Sequence, residues 1–299
     1  MNKEIPHLQQ GDLIRIISPA KAIEVELIQY AKNLLEQRGY RVKVGTHAAG
    51  RWNYFSGTDE QRLQDMQEAL DDPDCKAIIC SRGGYGCVRI VDLLNWAGFL
   101  RQPKWIVGFS DVTVFHHHIQ RFGIQSIHAS MPLNFQDNTQ EAIESLFYTL
   151  EGKAIHYQFT PSSSGNDGEA EGILIGGNLS IIYSLLGTDD RLNFENKILF
   201  IEDLNEQLYA LDRMWNSLNK AGVFDQLSGL LVGGITDMKD TEPKSGLTIE
   251  NIIMDKFSFR NTPVAFNFPA GHINDNRALI FGKHAQLTIN KEIATLVQS

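Results

Sequence analysis

Ser110 stands where an apolar run, Trp105 to Val107, breaks at Gly108 and gives way to a stretch, Asp111 to Ile119, that can wind into a helix. A serine on such a strand-to-helix corner is pushed out on a tight turn. Its hydroxyl is exposed and backbone N–H groups lie close by, which is the mechanics of a nucleophile elbow. Ser110 and Asp111 could equally cap a helix, since both residue types accept hydrogen bonds from a first helical turn. The backbone separates the two readings. An elbow serine is held in a sparsely populated φ/ψ region, a capping serine in the extended region.

A nucleophilic serine needs a base within hydrogen-bond reach, and the base needs an acid to hold its tautomer and stabilise its cation. His272 is the candidate base. It follows a strand in Pro269-Ala-Gly-His272, a glycine-containing turn from which an imidazole can project into a cleft. Glu202 is the candidate acid, at the end of the apolar run Leu199 to Ile201, and Asp203 beside it is an alternative that pattern alone leaves open.

The loop Arg82 to Gly86 lies between a strand and a helix, where N–H groups gather around an anion. The functional reading is an oxyanion hole, with the Gly84 N–H joining that of Asp111; the plain reading is a bare turn. The loop lacks the full spacing of a dinucleotide fingerprint and has no P-loop lysine, so it supports nucleotide binding poorly. Arg82, basic and close to the loop, is a candidate for holding a substrate carboxylate.

Other reactive residue types read as structural. His116, His117 and His118 are consecutive on a helix and so point in different directions, unlike metal ligands spaced i and i+4. No metal site is expected. Cys87 reads as a small buried helix residue before it reads as a thiol nucleophile. The pairs Asp71-Asp72 and Asp189-Asp190 read as turn or helix-end charges.

The elements around these residues alternate. Strands are expected at 13–17, 40–44, 76–80 and 105–107, with helices over 24–38, 59–70, 87–96 and 111–119. Strands separated by helices imply a parallel sheet with helices on both faces. Ligands bind outside the carboxyl ends of such strands, where the glycine loop and Ser110 both fall. Past residue 152 the pattern weakens, and residues 160–172 are small, polar and acidic. The expected organisation is an α/β domain over 1–152, a linker over 153–171, and a smaller, β-rich mixed domain over 172–299, with strands at 198–201, 230–232, 264–266, 278–281 and 285–289.

Bulk properties fit a soluble globular protein. The chain has 299 residues, 42% hydrophobic and 21% charged, long enough for two cores. A formal charge of −9 argues against a nucleic-acid partner. Three closely spaced cysteines without zinc-like pairing fit a reducing, cytoplasmic setting. No stretch approaches the roughly 20 apolar residues of a membrane span. The run from Met1 to Pro6 lacks the apolar core of a secretory signal.

The motifs taken in order resemble the LD-carboxypeptidases, the serine peptidase family that includes muramoyl-tetrapeptide carboxypeptidase and the microcin C self-immunity peptidase. The resemblance runs over essentially the whole chain. It is carried by Gly11 to Pro19, Ser81 to Gly86, Gly108 to Asp111, Gly176 to Leu179 with Leu186 to Thr188, Leu199 to Asp203 with Asp212-Arg213, and Pro269 to His272. It implies Ser110 as nucleophile, Glu202 as acid in preference to Asp203, and His272 as base. It also implies a first domain similar to the class I glutamine amidotransferases, with the site at the domain interface. Position 112 is Val where the α/β-hydrolase elbow has glycine.

The implied reaction is hydrolysis of the amide between an L-centre, lysine or diaminopimelate, and a terminal D-alanine in murein tetrapeptides, without metal or organic cofactor. The implied setting is cytoplasmic cell-wall recycling. The expected partners are the small peptide substrate and a second copy of the chain in a homodimer. The alternative within the family, cleavage of a peptidyl-nucleotide, needs an aromatic platform; Trp52, Trp96, Trp105 and Trp215 all fall in motifs that also read as structural, so the sequence gives it no clear support. The alternative outside it is a non-catalytic flavodoxin-like binding protein whose glycine loop holds an anion.

Overall fold

A computed structural model describes residues 5–298; residues 1–4, part of the run read above as lacking a signal, and residue 299 lie outside the described residues. The chain divides into two compact units. One runs through Lys153 and takes back Arg277–Leu279; the other holds Ala154–Asn276 and the chain from Ile280 onward.

The first unit contains β1 (Leu13–Ile17), α1 (Val25–Gln37), β2 (Arg41–Val44), α2 (Asp59–Asp71), β3 (Cys75–Cys80), α3 (Ala97–Arg101), β4 (Trp105–Gly108), α4 (Thr113–Gln120), β5 (Ser126–His128) and α5 (Gln140–Leu150). Its strands pair in parallel in the order β2-β1-β3-β4-β5. β4 is buried along its whole length and β1 and β3 at all but one residue each. That is why these strands read as near-continuous apolar runs, interrupted only by Arg15 in β1 and Lys76 in β3, rather than alternating ones. α2 starts where Thr58 and Gln61 form a reciprocal capping box, and α1 buries Ile28, Ala31 and Leu35 at helical spacing.

The second unit contains β6 (Ile155–Phe159), β7 (Gly168–Asn178), α6 (Leu179–Leu185), β8 (Lys197–Leu204), α7 (Leu208–Lys220), β9 (Leu227–Thr236), α8 (Ile249–Met254) and β10 (Val264–Ala265), then, after β11 (Leu279–Phe281), which begins in the first unit, β12 (His284–Ile289) and β13 (Ala294–Gln298). Its sheet runs β10-β9-β8-β7-β12-β13-β6. The half from β10 to β7 is parallel and the half from β7 to β6 antiparallel. Trp215, Phe224 and Phe257 centre the apolar core of this unit. β11 lies at the edge of the first sheet, next to β5.

Two expectations are corrected. Residues 153–171, read as a linker, hold β6 and the start of β7 and belong to the second unit from Ala154 on. The helix expected over 87–96 is instead two single 3₁₀ turns, Cys87–Arg89 and Val91–Leu93, followed by the short α3.

Candidate active site

β4 ends at Gly108, Phe109 is extended, and Ser110 opens a 3₁₀ turn, Ser110–Val112, that runs into α4. Ser110 has φ +61°, in the left-handed region that a residue with a Cβ enters only when its surroundings enforce it. The serine is therefore not an extended helix cap. It sits on a strained corner, half-buried, with its neighbours fixed on both sides.

One of those neighbours is the glycine loop after β3. A Cβ on Gly83 would lie 3.0 Å from Ser110 Cβ and 3.1 Å from both Ser110 Oγ and the Asp111 nitrogen. A side chain at Gly83 would crowd the hydroxyl and force its neighbours to give by a few tenths of an ångström. The residue packed on Ser110 is thus Gly83; a Cβ on Gly84 would instead meet the Tyr54 hydroxyl and Lys21. Packing alone separates two adjacent glycines. Asp111 joins the corner to the loop, since its buried Oδ2 accepts the Cys87 N–H at 2.9 Å. Burial raises the pKa of this carboxyl.

Arg82 is half-buried and donates through Nη1 to the Ala22 carbonyl at 3.1 Å; burial lowers its pKa. Cys87 is fully buried, and burial followed by the nearby Asp111 raises its thiol well above the usual range, which disfavours a thiolate there. The three histidines of α4 are all buried. His116 Nε2 bonds the Gly108 carbonyl at 2.9 Å, and burial lowers its pKa to about 4; His118 stacks on Trp96 at 4.8 Å.

In the second unit, the carboxyl ends of adjacent parallel strands bring the other candidates together. β8 carries Glu202 and Asp203, and the β7 terminus puts Asn178 opposite Glu202 in the ladder. Gly271 pairs with Gly234 of β9, and His272 follows it. Glu202 is fully buried, and its Oε2 meets His272 Nδ1 at 2.5 Å. A Cβ on Gly271 would lie 2.6 Å from Glu202 Cβ, and Gly271 has φ +107°, so glycine is required next to this histidine on both counts. The turn is held by the Gly271 N–H to Asn276 Oδ1 and by the Thr236 hydroxyl to the His272 carbonyl. Burial opposes protonation of His272, but Glu202 and then Asp203 outweigh it and raise the pKa.

Asp203 does different work. Its Oδ1 accepts from Asn178 Nδ2 at 3.1 Å and the Leu204 N–H at 2.8 Å, and its Oδ2 accepts the Ser180 N–H at 2.9 Å at the start of α6. Burial, then the adjacent Glu202, pushes its pKa up to about 7. Asn178, itself the cap of α6, is a part of this network that no spacing rule singled out.

Residues 14–129 match the N-terminal domain of the LD-carboxypeptidases, and residues 171–287 match their C-terminal domain. The chain belongs to the LD-carboxypeptidase family. It is 32% identical over 290 residues to the murein tetrapeptide carboxypeptidase of Pseudomonas aeruginosa, across 93% of this chain and 94% of that one. The muramoyltetrapeptide carboxypeptidase from Oxalobacter formigenes is similar in structure with a TM-score of 0.88 and 28% identity, over 96% of this chain and 98% of that one. The microcin C7 self immunity protein in complex with aspartyl sulfamoyl adenosine shares the fold, with a TM-score of 0.86 and 21% identity over 98% of each chain.

Proposed function

We propose that this family member is a serine LD-carboxypeptidase that releases a terminal D-alanine from murein tetrapeptides, cutting its amide to lysine or diaminopimelate, in cytoplasmic wall recycling. The observation that carries the reading is the left-handed Ser110 held against a glycine loop. That conformation has a cost, and it is retained where a hydroxyl must project from a strand-to-helix corner. The bonded Glu202–His272 pair adds support, and the parallel first sheet favours the amidotransferase-like description.

In this reading His272 Nε2 takes the Ser110 proton as Oγ attacks the scissile carbonyl. The Asp111 N–H and the Gly84 N–H, on the peptide that begins at Gly83, receive the developing oxyanion. His272 then gives the proton to the departing D-alanine amine, and Glu202 stabilises the imidazolium between the two transfers. Water, activated by the same histidine, cleaves the acyl-enzyme and frees the tripeptide. A peptidyl-nucleotide substrate has less support, because Trp96, Trp105 and Trp215 are buried and only Trp52 of the four offers an exposed face.

The experiment is an assay of free D-alanine from lysine- and diaminopimelate-containing tetrapeptides. Wild-type protein releases it, and Ser110→Ala, correctly folded, loses about 10⁶ in kcat. Ser110→Ala that keeps a tenth of the rate, or wild-type protein that neither releases D-alanine nor reacts with a fluorophosphonate, overturns the proposal.

A further inference from the structure

We infer that Lys21 recognises the free carboxylate of the substrate's terminal residue, an inference that rests on the carboxypeptidase reading above. β1, β3 and β4 are adjacent and parallel, so their carboxyl ends share one edge of the first sheet. β4 leads to Ser110, β3 leads to Gly83 and Gly84, and β1 leads to the segment that carries Lys21. These loops are joined. The Lys21 N–H donates to the Gly83 carbonyl at 3.4 Å, and a Cβ on Gly84 would lie 3.1 Å from Lys21 Cβ and 3.0 Å from the Tyr54 hydroxyl. Gly83, one residue earlier, makes the equivalent approach to Ser110 Oγ. Lys21 and Ser110 are thus neighbours of the same pair of glycines.

Ion pairing distinguishes Lys21 from Arg51, Arg89 and Arg62 nearby, and, among the described residues, the freedom of its ammonium from a backbone carbonyl distinguishes it from Arg82. Arg51 pairs with Glu24 at 2.6 Å, Arg89 pairs with Asp59, and Arg62 bonds Asp59 together with three carbonyls. Arg82 is tied to the Ala22 carbonyl. Lys21 is half-buried, and among the described residues no carboxylate lies within ion-pair distance of it. Its ammonium rests 4.9 Å from the centre of the exposed Tyr54 ring. An ammonium over an aromatic ring with no carboxylate partner can still take an anion, since a cation–π contact compensates only in part.

A carboxylate ligand completes the arrangement. A carboxypeptidase substrate differs from an internal peptide by an anion one residue beyond the carbonyl under attack. A cation beside the glycine loop reads that difference. Arg82 is then a positioning residue, fixing through Ala22 the segment on which Lys21 stands.

The test compares kcat/KM for a tetrapeptide ending in D-alanine with that for its D-alaninamide analogue. Wild-type protein prefers the acid. In Lys21→Met the preference falls about tenfold to a hundredfold, the loss of one charge-assisted hydrogen bond, carried mainly by KM for the acid. Lys21→Arg retains part of it. A merely structural role lowers both substrates together, and an unchanged ratio overturns the inference.

Ligand-observed NMR with N-acetyl-D-alanine and its amide supplies a readout that needs no turnover. Selective binding of the acid by wild-type protein, lost in Lys21→Met, supports the site even if no murein peptide is cleaved, an outcome that overturns only the substrate reading. Equal binding of the acid by both proteins overturns the site whatever the enzyme hydrolyses.

Discussion

His272 is subject to opposed influences on its proton, and they set its pH behaviour. Burial disfavours the imidazolium, while Glu202 at 2.5 Å, and then Asp203, favour it enough to raise the pKa above the ordinary 6.5. A base must be neutral to accept a proton, so kcat/KM should rise with pH through a midpoint above 6.5. The linked contribution to stability has the opposite sense: it is fully present below 6.5 and is lost as pH rises through the folded-state value. Glu202→Gln removes the carboxylate and leaves the burial. Its acid-limb midpoint should drop below that of wild type, and kcat should fall by roughly 10² to 10⁴. Asp203→Asn disturbs the cap of α6 rather than the imidazole, and should cost less than about tenfold in rate because its three bonds go to Asn178, Leu204 and Ser180. Steady-state kinetics on the tetrapeptide decide it, and the reverse order would transfer the acid role to Asp203. The strand that ends in Glu202-Asp203 was legible as a carboxylate pair, because an apolar run stopped by two acids is a local signal. Which acid faces the histidine is not local; it depends on the ladder and on the close approach of Gly271.

At the scale of elements, the buried Arg62 of α2 explains why the segment after the glycine loop is not the helix its pattern implies. Arg62 Nη1 donates to the Pro19 carbonyl at 2.5 Å and the Gly86 carbonyl at 3.0 Å, its Nε donates to Gly57, and the guanidinium pairs with Asp59. Gly86, at φ +146°, turns its carbonyl into that arginine while Asp111 captures the next N–H, that of Cys87. The Gly86 carbonyl, which would accept the first internal bond of a helix, is thus shared between Arg62 and the Arg89 N–H, so the chain closes a 3₁₀ turn there. No window of neighbouring residues contains that information. β6 escaped for another reason: in Ile155–Phe159 the polar positions are exposed, so a short edge strand resembles the polar loop that follows it. Arg62→Met keeps much of the side-chain volume and removes every donor, leaving three carbonyls and Asp59 less satisfied. It should lower unfolding free energy by about 3 to 5 kcal/mol, the range for breaking a buried charged network by removing one partner. Urea titration measures it, and a loss under about 1 kcal/mol would mean that the arginine does not hold the two loops.

For the whole molecule, chain order and spatial order part company near the end of the sequence. The alternation of strands and helices up to residue 150 reveals one α/β unit because each element pairs with others close in sequence. Nothing local marks Arg277–Leu279 as belonging to that unit, since the contacts that recruit them are more than a hundred residues away. Ala278 is fully buried and donates its N–H to Ser145 Oγ on α5 at 2.8 Å, and β11 lies beside β5 as the last strand of the first sheet. The first unit is therefore discontinuous, and a cut at the 153/154 boundary removes a strand as well as a domain. A fragment comprising residues 1–153 would carry β5 as a bare edge, with its backbone donors and acceptors open to another chain. It should self-associate on size-exclusion chromatography, and fusing residues 276–281 to its end through a flexible linker should restore a monodisperse species. A fragment 1–153 that is monomeric and cooperatively folded without that addition would show that the returning strand is dispensable to the sheet that carries Ser110.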